Sequence, residues 1–394
     1  MASVARVLIG NIPAYGIAMP SLPLARALVE AGHEVDYLLT EGFRARVEAT
    51  GARLVPYGSY FAGQITAPGH LFRYGRRLFT DLFEQLARRG NGYDVVIAAG
   101  VQPRFAELQA RVDRPVVFFP PVFLQNARTI GHFARICTGM PAPARHALSS
   151  RRARTVLGAV AGTVVLGKRP GDVVRLLGPQ SASLNLVNTS RLHQPFAEDF
   201  DETCTYFGPT PTLALPDDTF PIDRLREHAG HVVYATMGTV FNGWLPFFRT
   251  IADAFAGTDH LVVITTGNPA SVERLGPVAD NVIVRPFVPQ RLVLEEADVC
   301  FTHGGFGSAT DCTYLGVPPV LTPMGADQFF NAYRLAELDA GRVLPRQEFS
   351  IDAVRREAER ALAEPPAGLA ALRQSFIDAG GPERGVRAVE ALLG

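Results

Sequence analysis

Short apolar runs alternate along the first half with stretches whose apolar residues recur every three or four positions. Residues 5–10 (ARVLIG) read as a buried strand. Leu22, Leu24, Ala25, Leu28 and Val29 make a helical stripe that Gly32 ends, and 34–39 reads as a second strand. Strand, helix, strand in that order is a βαβ unit, which calls for a right-handed crossover and a sheet covered on both faces. The rhythm continues with a helix over 43–50, a strand over 53–56, a glycine- and proline-rich loop over 58–69, a helix over 71–89 and strands over 93–98 and 115–119. Residues 120–144 hold aromatics, prolines and a Gly-Met-Pro break. The segment 209–225, rich in proline and acidic residues, reads as a linker. Beyond it the rhythm restarts, with strands over 232–235, 261–265, 282–285 and 299–302. Helices are expected over 245–256, up to Gly316, on past Asn331 toward Leu338, and finally over 383–393. The expected architecture is α/β, with two doubly wound Rossmann-like domains: 1–208, the linker 209–225, 226–380, and a C-terminal helix at 381–394.

Composition narrows the class. A chain of 394 residues, 47% hydrophobic, is long enough for two ordinary cores. Lys+Arg and Asp+Glu are both 38, so no net charge draws the chain toward nucleic acid or an anionic membrane. Cys137, Cys204, Cys300 and Cys312 are far apart and show no metal-ligand spacing, which fits a reducing cytoplasm. No apolar run reaches the roughly 18 residues of a membrane span.

The chemistry concentrates in 299–331, VCFTHGGFGSATDCTYLGVPPVLTPMGADQFFN. An apolar strand is broken by His303-Gly304-Gly305-Phe306-Gly307-Ser308, and a helix follows. Glycines let backbone approach a ligand, and the unpaired N–H groups and positive dipole end of a helix start favour a phosphate. His303, at the strand's carboxyl end, adds a donor or a positive charge. A second segment, Gly162 to Lys168, has the spacing of a P-loop. Its interior is β-branched and apolar, however, and Arg169 stands where a Ser or Thr would hold magnesium, so it is rejected.

HGGFGSATD, then GVP, then DQ with NA two residues on, resembles the nucleotide-sugar motif of family 1 glycosyltransferases of the GT-B fold, the bacterial macrolide type above all. LIGNIPAYG, PSLPLARALVEAGHEV, VVYATMGT and RPFVPQRLVL match in order, so the resemblance spans nearly the whole chain. It implies two Rossmann-like domains facing across a cleft that takes a UDP- or TDP-sugar as co-substrate, with no other cofactor. It also implies a hydrophobic natural-product acceptor such as a polyketide, macrolide or aromatic compound, and lower regularity over 120–144. Neither nucleic acid nor membrane is an expected partner, and a homodimer is compatible with the chain. By the same resemblance His303, Gly305 and Ser308 hold the diphosphate, and Gly238 and Thr239 approach it from another turn. Phe287 stacks on the pyrimidine, Val288 reads the base edge, Asp311 stands at the ribose position, and Asp327 and Gln328 reach the sugar hydroxyls. Asp327 has a plainer reading as a helix cap. The chain is read as offering no Asp-x-Asp pair to hold a metal, so no metal is implied, and the resemblance implies a metal-independent, inverting transfer.

The front half departs from the pattern. Typical members carry Ala-His-Gly-His-Val-Asn-Pro after the first strand, and the second His deprotonates the acceptor. This chain reads Ala14-Tyr15-Gly16-Ile17-Ala18-Met19-Pro20, which puts Tyr15 and Ile17 in the acceptor loop and Ile17 at the base position. Ala98 or Ala99 stands where the resemblance expects the orienting Asp. Isoleucine cannot move a proton, and general-base catalysis is worth about 10²- to 10⁴-fold. Three routes remain: an acidic acceptor such as a phenol or enol, a substitute base among His132, His70 and His146, or a role other than sugar transfer. The last is the competing reading, an auxiliary subunit or an enzyme for a different reaction on a natural-product intermediate.

Overall fold

The computed structural model describes residues 4–61, 63–65, 68–161, 178–211, 213, 219–240 and 242–394. The chain divides into two compact units, Met1–Thr210 with Phe376–Gly394, and Pro211–Ser375.

The first unit is built on a seven-stranded sheet. Its strands are β1 (Arg6–Gly10), β2 (Glu34–Leu39), β3 (Arg53–Pro56), β4 (Val95–Ala99), β5 (Val116–Phe119), β6 (Leu184–Val187) and β7 (Cys204–Tyr206). They lie in the order β3-β2-β1-β4-β5-β6-β7, all parallel. Near-continuous burial of β1, β2, β4 and β5 is what a parallel sheet with helices on both faces demands. On one face Leu8, Val96 and Phe118 pack with Leu78, Leu82, Phe83 and Leu86 of the Pro68–Arg89 helix. That helix lies so close that a Cβ on Gly10 would stand 2.7 Å from Leu86 Cδ2. The Leu22–Glu30 helix packs with the final helix, Gly381–Glu390. Gly385 makes that approach possible, since a Cβ there would meet Leu24 Cδ1 at 2.9 Å and Phe207 Cδ2 at 3.3 Å.

The second unit carries β8 (Val232–Thr236), β9 (Leu261–Thr265), β10 (Val282–Arg285), β11 (Val299–Thr302), β12 (Pro319–Leu321) and β13 (Arg342–Val343). The order is β10-β9-β8-β11-β12-β13, again all parallel. One face packs against the Leu245–Ala254 and Ile351–Ala363 helices through Phe247, Phe248, Ile251, Val354 and Ala358. Tyr234, Val263, Cys300 and Cys312 fill the other.

Four expectations are corrected. The segment 120–144 is not irregular throughout. Asn126 caps a helix over Ala127–Ile136, its side chain accepting from the Thr129 N–H, and Ile130, Phe133 and Ala134 form the buried face. The linker 209–225 is not loop to its end: Ile222–Arg226 is helical and, with Phe220, plugs Leu225 into the second core. Residues 212 and 214–218 of that linker lie outside the described residues, as does the P-loop-like segment from Gly162 to Lys168. Finally, the chain rejoins the first unit at Phe376, inside the Leu369–Asp378 helix, four residues before the expected end of the second domain at 380. The last helix itself begins at Gly381 rather than at Glu383, because Pro382 suits a first turn that has no use for its N–H.

Among the described residues no helix is long and apolar enough to cross a membrane. The contact at Gly385 gives a direct test of the packing. Gly385→Val should overfill the space beside Leu24 and Phe207 and cost about 1–3 kcal/mol in urea unfolding; unchanged stability would show that the helix does not seat there.

Candidate nucleotide-sugar site

In an open parallel sheet, a ligand crevice opens beyond the carboxyl ends of two neighbouring strands whose connections leave in opposite directions. In the second unit those strands are β8, which continues to β9, and β11, which continues to β12. The turn after β8 holds Gly238 and Thr239; the turn after β11 holds His303 to Ser308. Topology therefore brings together the two turns that sequence separates by more than sixty residues.

His303 is the centre of this place. It is 7% exposed, and its Nδ1 lies 3.3 Å from Thr302 Oγ1. Its ring fills the space where side chains of two glycines would otherwise go. A Cβ on Gly238 would stand 2.7 Å from Cε1, and one on Gly305 would stand 2.5 Å from Nε2. Gly238 also adopts φ 65°, a left-handed conformation that favours glycine. Burial pushes the His303 imidazole down to about 4. That corrects one expectation: at neutral pH His303 is an uncharged hydrogen-bonding group, and positive potential comes from the helix dipole. The ten-residue helix Phe306–Leu315 starts beside it at the extended residue Gly305, and Ser308 sits half-buried in its first turn.

Phe287, after β10, is 57% exposed, which leaves its ring face open for stacking. Val288 is half-buried against the second core. Asp311 is buried and accepts from Gln290 Nε2 at 2.9 Å, while Tyr234 Oη donates to Gln290 Oε1 at 3.3 Å. Gln290 was missed in the sequence, where its only signal is the Pro-Gln step after Phe287-Val288.

Asp327 precedes the Gln328–Glu337 helix without capping it through its side chain, so the plainer capping role does not hold. Its carboxylate instead accepts from Asn331 Nδ2 at 2.9 Å, and burial raises its pKa. Gln328 is buried, and its Oε1 accepts from the Met324 and Gly325 N–H groups at 2.8 and 3.1 Å. Its amide oxygen therefore shapes the loop. Ala326 within that loop sits at φ 53°, a strained conformation for a residue with a Cβ.

The first unit has the same topology, with its switch between β1 and β4. Ile17 follows β1 in the short helix Tyr15–Ala18, and Gly100 follows β4. A Cβ on Gly100 would meet Ile17 Cγ2 at 2.9 Å, so the residue facing Ile17 is Gly100, one beyond the fully buried Ala99. The loop is held from below: Asn11 Nδ2 donates to the Ile17 carbonyl at 3.1 Å and to Ser21 Oγ at 3.3 Å. Among the three histidines, His70 lies 5.8 Å ring to ring from Phe61 and 6.4 Å from Tyr74, and both of those pack on the same core as Ile17. His132 lies edge-on to Phe196 in the Ala127–Ile136 helix, and His146 belongs to the separate Ala142–Ser149 helix.

An Asp-x-Asp pair does occur in the first unit, at Asp199 and Asp201. Asp199 binds Arg128 and Asn126, and Asp201 accepts from Thr203. A cavity of about 520 Å³ lies at the amino ends of β1 to β3, lined by Arg6, His33, Asp36, Arg53 and Tyr93. Arg53 is paired with Asp36 and Arg6 with the Gly92 carbonyl, and the opposite end of a parallel sheet is not where such folds bind ligand.

Two parallel Rossmann-like sheets, each with its chemistry-bearing turns at a switch point, define the GT-B class of glycosyltransferase. Residues 249–390 match the C-terminal domain of the family described as erythromycin biosynthesis protein CIII-like. An uncharacterized UDP-glucosyltransferase, YdhE, of Bacillus subtilis is 28% identical over 98% of this chain and 98% of its own length. The oleandomycin glycosyltransferase of Streptomyces antibioticus is 29% identical over 99% of this chain and 91% of its own. Among solved structures, CalG4, the calicheamicin glycosyltransferase, superposes with a TM-score of 0.72 at 29% identity, covering 100% of this chain and 99% of its own. The family model, the relatives and the solved structures together support a family 1 glycosyltransferase of the macrolide type.

The pH dependence of His303 follows from its burial. An ordinary histidine titrates near 6.5, and here the folded value is lowered to about 4. The unfolded chain therefore binds the extra proton first, so stability falls as pH drops from 6.5 toward 4, by up to about 3 kcal/mol. NMR titration of the imidazole should give a midpoint near 4, and a diphosphate bound beside it should move that midpoint upward. A midpoint at 6.5 without nucleotide would contradict the burial.

Proposed function

We propose that the protein transfers a sugar from a UDP- or TDP-sugar to a hydrophobic small-molecule acceptor, with inversion and without a metal ion. The observation that carries this is the buried, neutral His303, walled by Gly238 and Gly305 at the start of the Phe306–Leu315 helix. N–H groups of that helix start and of His303 hold the diphosphate through hydrogen bonds and the helix dipole. Phe287 stacks on the pyrimidine, Val288 offers backbone groups to the base edge, and Asp311 with Gln290 meets the ribose. Asp327 and Gln328 orient the sugar, while Gly238 and Thr239 approach the diphosphate from the other turn. A single in-line displacement at the anomeric carbon expels the nucleoside diphosphate and inverts the centre. Relatives named for oleandomycin and calicheamicin support a natural-product acceptor.

The competing reading, an auxiliary or non-glycosyl role, rests on the apolar contact of Ile17 with Gly100. Turnover of simple alcohols by the unaltered protein would remove it. Transfer to alcohols that appears only in the double variant Ile17→His/Ala99→Asp would favour it.

Calorimetry with UDP- and TDP-sugars in EDTA should show binding unchanged by added magnesium. Phe287→Ala, at an exposed position, should weaken it about 5- to 10-fold, the worth of one aromatic stack, with unfolding unaffected. Absence of any nucleotide binding ends the proposal.

A further inference from the structure

An arginine with an unpartnered buried Nε stands over the acceptor loop of the first unit. Arg46 lies in the Arg44–Glu48 helix that follows β2, at the same carboxyl edge of the sheet as Tyr15 and Ile17. Its guanidinium stands over the Tyr15 ring, 5.4 Å from the centroid. Its Nε is buried with no hydrogen-bond partner. The neighbouring carboxylates are spoken for, since Glu41 and Glu48 both bind Arg44 and Asp36 binds Arg53. Among the described residues Arg46 has neither an ion-pair nor a hydrogen-bond partner. A half-buried cation with an unmet donor costs free energy unless something supplies an acceptor.

Tyr15 and Ile17 belong to the same short helix after β1, so this unmet charge stands over the segment that lacks a base. A site with a cation and no proton acceptor suits a nucleophile that needs no deprotonation. We infer that the acceptor of this glycosyltransferase presents an oxygen that is already anionic, a carboxylate or the ionised form of an acidic phenol or enol, and that Arg46 holds it against Tyr15. The inference rests on the sugar-transfer reading. The anionic oxygen forms a bond to the anomeric carbon. The bond from that carbon to the diphosphate oxygen breaks, its electron pair leaves on the nucleotide, and no proton moves. Ile17 then costs the reaction nothing, and Phe61 and Tyr74, packed on the same core as Ile17, favour a flat apolar body behind the anion.

Three matched acceptors test this with UDP- and TDP-glucose: 2-naphthoate, an electron-poor nitrophenol and 2-naphthalenemethanol. The unaltered protein should use one of the two ionised acceptors at least 100-fold better than the alcohol, in kcat/KM. A carboxylate acceptor gives a glycosyl ester, cleaved by hydroxylamine, and a rate flat from pH 6 to 9; a phenol gives a hydroxylamine-stable product and a rate that follows its own ionisation. Arg46→Gln should cut kcat/KM for the preferred anion about 10- to 100-fold, mostly through KM, the worth of one charge-assisted hydrogen bond. Arg46→Lys should recover part of it, and nucleotide affinity should stay within about twofold in both. Comparable use of the alcohol, or an Arg46→Gln variant with unchanged KM for the anion, overturns the inference while leaving sugar transfer standing. Failure of the unaltered protein to bind either nucleotide sugar by calorimetry overturns sugar transfer itself, and the inference with it.

Discussion

The structure depends on parallel strand pairing with a reversal of winding. In each unit one strand sends its crossover to the left of the sheet and its neighbour sends one to the right, which leaves the two carboxyl ends uncovered between their helices. Burial of both sheet faces makes most of these layers apolar, so polar groups gather at the strand ends. In the second unit the carboxyl edge gathers glycines, a histidine and a helix start. In the first it gathers an asparagine network under Ile17 and an arginine above Tyr15.

The glycines of the nucleotide site are explained by the histidine more than by flexibility. Gly238 and Gly305 approach one imidazole from two turns, and either side chain would collide with it. The same enclosure that positions the ring removes its water and lowers its affinity for a proton. A neutral imidazole flanked by a positive helix end is a selective arrangement. It suits an anion that can be met with donated hydrogen bonds, the role proposed for it with a diphosphate.

Much of this was legible in the chain. Strands β2, β3, β9, β10 and β11 fall where alternation of apolar runs and glycine punctuation predicts them, and the switch-point turn at 303–308 announces itself by its glycines. Strands β6 and β7 were not read, because Leu184–Val187 and Cys204–Tyr206 are short and lie outside any βαβ spacing. Gln290 was invisible for another reason: its importance lies in joining Tyr234 to Asp311, a contact between three segments far apart in sequence. The Ala127–Ile136 helix was obscured by the prolines and glycine around it, although Asn126 supplied a proper start. Arg46 looked like one basic residue among many until its neighbours' partners were known.

The apolar contact at the first switch point is more than a missing residue. Ile17 fits against Gly100, which has no side chain and a left-handed backbone, and Ala99 is sealed inside β4 with no exposure. A carboxylate placed at Ala99 would be buried without an arginine or lysine known to face it, and an imidazole at Ile17 would meet no acid unless that cost were borne. Restoring a proton relay therefore requires changing two packed positions and stabilising a buried charge. On the proposed sugar transfer, this apolar packing makes Ile17 part of the acceptor's wall, and the charge the reaction needs comes in with the substrate.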